Sequence, residues 1–352
     1  MEKEKLLGMT PARLKEVALE AGLPAYAGGQ MAQWLYKRKV RSVSEMTNIS
    51  KAGREKIAER YEVGVISPSE VFDSKDGTRK YLFPVNCRLG RGAGSPSERS
   101  TVEAVMIPDE ERRTLCVSSQ AGCKMGCKFC MTGRQGFHGH LSAADILSQF
   151  IAIDESDSLT NAVFMGMGEP LDNYENVMKA IEVLTADWGF AWSPKRITLS
   201  TIGVLPALAD YLKDCKCHLA VSLHDPLAIE RESIMPVQKS FPVEEVLAEI
   251  RRHDFSGQRR VSFEYTMFRG LNDDKRHADA LVRLLRGIPC RVNLIRFHKI
   301  PDFPYDTVPQ PVMEMFRDRV SSSGITCTIR ASRGEDIFAA CGLLAGRHDN
   351  RQ

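Results

Sequence analysis

Three cysteines fall within eight residues of this 352-residue chain, in the run CVSSQAGCKMGCKFCMTG. Cys123, Cys127 and Cys130 have the spacing Cys-x3-Cys-x2-Cys. A short loop so spaced can aim three thiolates at one point, and thiolates hold iron–sulfur cubanes. The motif supplies three ligands rather than four, which leaves one iron open to a small chelating ligand. Gly122 and Gly126 relax the loop backbone, and Phe129 can shield a cluster. Two other readings stay open on spacing alone: a zinc site completed by a distant ligand, and chance clustering. Zinc loops favour Cys-x2–4-Cys pairs placed far apart.

The elements that must position such a loop follow from about residue 115. Candidate strands are Leu115–Ser118, Asn161–Met165, Arg196–Ser200, His218–Ser222, Arg260–Thr266, Cys290–Ile295 and Cys327–Arg330. Amphipathic segments separate them at Ala143–Ile153, Asn173–Asp187, Leu205–Leu212, Val243–His253, Lys275–Arg286 and Pro311–Ser323. This alternation predicts an α/β fold with a parallel sheet, closed or partly closed as a barrel. Gly166–Glu169, Ser200 and Ser222–His224 fall just after strands, where barrel chemistry is built. The reading divides the chain into 1–61, 62–114, 115–346 and a tail at 347–352. Residues 62–114 read as two hairpins, one turning at Asp76-Gly77, with a Gly/Ser-rich loop at Gly90–Ser100.

Residues 1–61 read as a small helical unit. Thr10 and Pro11 start one helix and Gly22 ends it, a second covers roughly Gly29–Arg38, and Ser50 caps a third. This unit holds 12 Lys+Arg against 7 Asp+Glu, while the rest holds 36 against 38. A basic module on a near-neutral body suits a polyanion, and Lys37, Arg38, Lys39 and Arg41 lie beside Trp34 and Tyr36. The bland reading is a solvated helical surface with core aromatics. No apolar run approaches the ~20 residues of a membrane span, and MEKEKLLGM is no apolar signal segment, so a cytoplasmic protein is expected. A disulfide framework is not expected there, and scattered cysteines read as buried hydrophobes.

Distant segments narrow the chemistry. Cys-x3-Cys-x2-Cys with an aromatic before its last cysteine resembles the radical S-adenosylmethionine superfamily. Cys116-Val-Ser-Ser-Gln120, FMGMGEPLDN at 164–173, STIG at 200–203, AVSLHDP at 220–226 and SRGEDIFAACG at 332–342 together resemble the RlmN family of dual-specificity RNA methyltransferases, along nearly the whole chain. The related Cfr enzymes share much of this set. The resemblance implies a partial (β/α)6 TIM-like barrel with a small N-terminal helical domain and a β-hairpin extension. It implies a [4Fe-4S] cluster on Cys123, Cys127 and Cys130, and two molecules of S-adenosylmethionine per turnover. One would methylate Cys341. The other would give a 5′-deoxyadenosyl radical that abstracts hydrogen from that methyl. The carbon then joins adenine carbon 2 of 23S ribosomal RNA or transfer RNA, Glu103 takes the ring proton, and Cys116 resolves the adduct. Gly168, Glu169, Ser200, Ser222, Leu223, His224 and Asn293 match cofactor-contacting positions. Implied partners are RNA and a one-electron donor such as flavodoxin or ferredoxin, with the chain a monomer and no membrane involved.

A Cfr-like enzyme would instead methylate carbon 8. A zinc-dependent RNA-binding module is the alternative from another class. Three departures from the family pattern stand out: Asp225 where a small residue is expected, Leu344 in a segment that usually reads Gly-Gln-Leu, and the Gly90–Ser100 insertion.

Overall fold

The computed structural model describes residues 3–86, 100–255 and 259–345. The Gly90–Ser100 loop (apart from Ser100), Cys87 and the tail lie outside them. The chain opens with strand β1 (Glu4–Lys5). Helix α1 (Pro11–Glu20) starts at Thr10, whose hydroxyl accepts from the Arg13 amide, with proline at the first position, where no amide hydrogen bond is needed. Leu14, Val17 and Ala18 form its buried stripe. Helix α2 (Ala27–Ala32) runs on into a wider π-type turn over Gln33–Lys37. Ser50 caps α3 (Lys51–Arg60), and β2 (Tyr61–Glu62) then pairs in parallel with β1.

Several contacts dock this unit on the body. Lys5 Nζ lies 2.7 Å from Asp145, Lys39 Nζ lies 2.7 Å from Asp157, and the Tyr36 and Trp188 rings are 5.4 Å apart. Two members of the basic corner are therefore engaged within the protein. Tyr36 is buried and Lys39 is paired, while Lys37 and Arg38 remain exposed, Arg38 over the Trp34 ring.

Strands β3 (Glu70–Asp73) and β4 (Arg79–Val85) are antiparallel about the Asp76-Gly77 turn, and β5 (Ser100–Asp109) and β6 (Arg112–Cys116) continue the meander. Strand β6 also pairs in parallel, through Thr114–Cys116, with the strand over Asn161–Phe164. Extension and barrel thus share one ten-stranded sheet. Two short antiparallel strands, β7 (Gln120–Gly122) and β8 (Phe137–His140), bracket the cysteine loop and the single turn of α4 (Met131–Arg134).

The barrel then alternates as expected. It runs α5 (Ala143–Ile151), β9 (Asn161–Phe164), α6 (Tyr174–Thr185), β10 (Ile197–Thr201), α7 (Ala207–Asp214), β11 (His218–Ser222), α8 (Ala228–Ile234), α9 (Val243–Arg251), β12 (Val261–Met267), α10 (Lys275–Leu285), β13 (Cys290–Arg296), α11 (Gln310–Ser321) and β14 (Thr326–Ile329). Six crossovers join seven parallel strands in the order β6-β9-β10-β11-β12-β13-β14. The sheet stays open: β14 is one edge and β3 the other. Crossover helices bury apolar stripes against it, as Val243, Val246, Leu247 and Ile250 do in α9. Each such side chain contributes about 1.5–3 kcal/mol by leaving water. No helix among the described residues is long and apolar enough to cross a membrane.

Candidate active site

The C-terminal ends of the parallel strands face a cavity, where ligand sites of such folds are built. Cys123, Cys127 and Cys130 line it. Their loop is fixed by backbone bonds: Cys123 donates to Gly136 at 2.8 Å, Lys128 to Ile234 at 2.9 Å, and Cys130 to Cys127 at 3.2 Å. Gly122 has φ +70°, and a Cβ there would lie 1.9 Å from the Gly136 carbonyl, so only glycine fits. Phe129 packs against His224 and Phe268, with ring centroids 4.9 and 5.2 Å away.

The donor set suits an anionic metal cluster. Burial pushes the Cys123 thiol up to about 12 and the Cys127 thiol well above its usual value, and the neighbouring sulfurs contribute to both shifts. Cys123 and Cys127, so buried and so close, lose both protons only to a metal. Arg231 supplies fixed positive charge beside Cys127. It is fully buried, and it donates from Nε to Leu223 O at 3.0 Å and from Nη2 to Ser222 O at 3.1 Å. Burial lowers its pKa to about 10, and Cys127 pulls the other way.

The opposite wall holds the residues matched to S-adenosylmethionine. Gly168 has φ +99°, with Gln120 Cβ 2.5 Å from where a Cβ would stand. Buried Glu169 accepts from the Leu171 and Ile202 amides, each at 3.0 Å. Burial still lifts it to about 7, against hydrogen bonds from Thr201 and these amides. A nearby ammonium would restore its full charge. Ser200, Ser222 and His224 line the same cavity. His224 holds a left-handed backbone, φ +58°, and its Nδ1 accepts from the Thr266 amide at 3.0 Å. Burial drops its pKa to about 3, so the ring is neutral with its proton on Nε2.

Two matched residues stand behind the wall. Leu223 is fully buried and contributes its backbone, donating to Glu264 O at 3.1 Å. Asn293 lies in the middle of β13. Its amide donates to Glu264 Oε1 at 2.8 Å, and its carbonyl accepts from Thr328 at 2.9 Å.

Cys341 also lines the cavity. Its turn is held at both ends. Asp336 bonds Ser74 at 2.5 Å, and Gly334 donates to Asp76 Oδ2 at 3.0 Å, which pins the segment to the β3–β4 turn. The Met131 amide donates to Gly342 O at 2.8 Å and the Thr132 hydroxyl to Leu344 O at 2.7 Å, which pins it to α4. The residue is exposed, while its sulfur points among protein atoms that raise its pKa. Cys116 is buried at the end of β6, and burial pushes it up to about 12. The Cys341 sulfur raises it further and Arg330 lowers it. Cys116, Cys341 and Arg330 thus act on one another electrostatically.

Arg330, just after β14, carries no signal in sequence, because only the fold brings it near both cysteines. Its Nη1 is 3.4 Å from Glu264 Oε2 and 3.5 Å from Met165 Sδ. Glu103 is buried in β5, 3.8 Å from Lys80 Nζ, and does not line the cavity. Val105 pairs with Cys116, so Glu103, two residues away, shares the face of Cys116.

A second, basic cleft meets the cavity at Cys341 and Arg330. Arg112, Lys195, Arg196, Arg260, Arg296, Arg330 and Arg333 line it, against one carboxylate, Asp109. Arg112, Lys195, Arg196 and Arg260 have no ion-pair partner among the described residues. Segment-by-segment charge counts miss this cleft, since its cations are scattered along the chain.

An open parallel barrel with a three-thiol loop at its mouth defines the radical S-adenosylmethionine class, and residues 117–281 match the radical SAM superfamily. Residues 4–63 match the ribosomal RNA large subunit methyltransferase N-terminal domain. The chain is 57% identical to the probable dual-specificity RNA methyltransferase RlmN of Parabacteroides distasonis, over 98% of this chain and 97% of that one. It is 41% identical to the dual-specificity RNA methyltransferase RlmN of Marinobacter nauticus, over 99% and 95%. The crystal structure of a radical SAM methyltransferase from Sphaerobacter thermophilus is similar with a TM-score of 0.89 and 34% identity, covering 98% of this chain and all of that one. The chain belongs to the RlmN family. Its cofactors are a [4Fe-4S] cluster and S-adenosylmethionine.

If Cys127 is a ligand and Arg231 balances its charge, Cys127→Ser should lose bound iron and sulfide after anaerobic reconstitution. Arg231→Leu should retain less of both and melt earlier. It removes the guanidinium's hydrogen bonds to Ser222 O and Leu223 O, of which Leu223 O keeps the Asp225 amide, at a cost of about 1–3 kcal/mol. Wild-type iron content in either variant would contradict the assignment.

Proposed function

We propose that this chain methylates carbon 2 of adenine in 23S ribosomal RNA and in transfer RNA, through a methylated Cys341 and a covalent enzyme–RNA adduct. The supporting observation is the place of Cys341, where the cofactor cavity meets the basic cleft with Cys116 nearby. When bound, the cluster and S-adenosylmethionine supply a methyl group and a radical able to abstract hydrogen, and family precedent uses two molecules of the latter per turnover.

The chain's own residues do the rest. Cys123, Cys127 and Cys130 hold the cluster. Glu169 and the backbone at Gly168 receive the ammonium of S-adenosylmethionine, and Ser200, Ser222 and His224 line its berth, with Leu223 and Asn293 supporting it from behind. Cys341 accepts the methyl group as a thiolate. After hydrogen is removed from that methyl, its carbon bonds to carbon 2 of the base, and the radical adduct passes one electron to a one-electron acceptor of the flavodoxin or ferredoxin class. Glu103 takes the ring proton. Cys116 then attacks the Cys341 sulfur. A disulfide forms, the carbon–sulfur bond breaks, and the released carbon is protonated to a methyl group. Arg330 lowers the cost of ionising both thiols. The target base leaves its stack to reach the cavity.

The basic cleft carries phosphates on either side of that base, and the unit at 1–61 adds affinity through Lys37 and Arg38. Residues 62–114 form a strand platform for the Cys341 segment, and 115–346 carry the chemistry. A small flavodoxin or ferredoxin supplies the electron, and the enzyme works as a cytoplasmic monomer.

Cys116→Ala should form the bridge to RNA and fail to resolve it. Enzyme covalently joined to RNA should accumulate, as a mass shift removed by nuclease. Turnover at the wild-type rate without adduct would contradict the role of Cys116.

The double variant Arg196→Ala, Arg260→Ala should keep its cluster and bind RNA more weakly. If each residue meets one phosphate, the slope of log affinity against log salt should flatten by roughly 1.4–1.8. An unchanged slope would remove the cleft from the RNA path.

A further inference from the structure

A group of charged side chains outside the cofactor cavity has no part in this chemistry. Asp225 follows His224, at the position where the family pattern predicts a small residue. Its side chain is fully buried. Oδ1 accepts from the Leu227 amide at 2.8 Å, whereas Oδ2 has no hydrogen-bond partner among the described residues. That oxygen points at His277 Nε2, 3.9 Å away, and Glu230 Oε2 lies 2.8 Å from the same nitrogen. The three potential donor atoms all fall within 4.8 Å of one another. Buried carboxylate oxygens are normally paired with hydrogen-bond donors or bind a cation.

The surroundings prepare His277 to act as a ligand. Its Nδ1 lies 2.7 Å from Asp274 Oδ1, and the Asp274 carboxylate also caps α10. A carboxylate on Nδ1 fixes the tautomer that turns the Nε2 lone pair toward Asp225 and Glu230, as in many metal sites. Arg276 Nη2 engages Glu230 Oε1 and stands 3.4 Å from His277 Nε2, a longer contact that an ion on Nε2 would displace. Donor atoms bound at about 2.1 Å to one ion stand roughly 3.0–3.4 Å apart, and the observed 2.8 and 3.9 Å lie on either side. Glu230 and Asp274 are partly exposed, which gives an ion a path from solvent.

We propose that Asp225, Glu230 and His277 bind one divalent transition-metal cation. An imidazole with two carboxylates suits Zn2+ or Mn2+ better than Ca2+ or Mg2+, which prefer all-oxygen shells. The ion ties the turn after β11 to α8 and α10. That turn carries Ser222 and His224, so the ion stiffens one wall of the cofactor cavity from behind.

The test uses cluster-loaded protein passed over a chelating resin and titrated anaerobically with MnCl2. Mn2+ is a hard cation that competes poorly for thiolates. Electron paramagnetic resonance of free Mn2+ should show one ion bound per chain. Glu230→Gln, at a partly exposed position, and the near-isosteric Asp225→Asn should each weaken binding at least about tenfold. Mn2+ should raise the melting temperature of the wild type and not of the variants. Circular dichroism and cluster absorbance confirm that each variant is folded. Wild-type protein that leaves all Mn2+ free at millimolar concentration would overturn the proposal, in favour of a doubly protonated His277 bridging Asp274 and Glu230. Unchanged Mn2+ affinity in both folded variants would overturn it equally.

Discussion

The Met131 amide donates to the Gly342 carbonyl at 2.8 Å, and the geometry of the site follows from that contact. Met131 follows the last cysteine of the cluster loop, and Gly342 follows Cys341. One backbone bond therefore joins the three-cysteine loop to the segment that carries Cys341. The bond from Thr132 to Leu344 reinforces it, and the bonds of Gly334 and Asp336 to the β3–β4 turn anchor the other end. A carrier thiol is useful only if the radical, the thiol and the resolving cysteine meet within a few ångströms, since misplacement by about 1 Å can cost 100-fold in rate.

The same docking gives the hairpin extension a purpose. An open barrel leaves the cluster mouth unroofed on one side, and a macromolecular substrate needs that opening. The Asp76 turn carries part of the C-terminal segment across the gap, while the basic cleft stays open beside it. Burial keeps the reacting groups quiet until they are needed. Cys116 at about 12 is a neutral thiol at rest, and Glu169 at about 7 is only partly ionised. Fixed charges from Arg330 and Arg231 sit where negative charge must develop or reside, so little reorganisation is needed when it appears.

Much of this was legible in the chain. The seven parallel strands follow from apolar runs separated by amphipathic helices, and Thr10 and Ser50 cap the helices they were expected to cap. The cluster loop is local, so its spacing pointed to a metal site, and the family resemblance singled out an iron–sulfur cluster. Strands β1 and β7 are too short to show a period, so they were missed. Arg231 and Arg330 take their meaning from groups far away in sequence, and isolated arginines carry no mark of that. The cations of the basic cleft were invisible for the same reason, and the charge excess of residues 1–61 drew attention to the helical unit instead.

The central claim is that Cys341 carries the methyl group and that the fold holds it there for that purpose. The direct measurement is anaerobic incubation of reconstituted enzyme with S-adenosylmethionine labelled in its methyl group, followed by proteolysis and mass spectrometry of every cysteine peptide. The account predicts label on the peptide containing Cys341 and none on the peptide containing Cys116. It also predicts that chasing with unlabelled S-adenosylmethionine and RNA moves this label to the adenine. Label reaching RNA while the Cys341 peptide stays unlabelled throughout would contradict it.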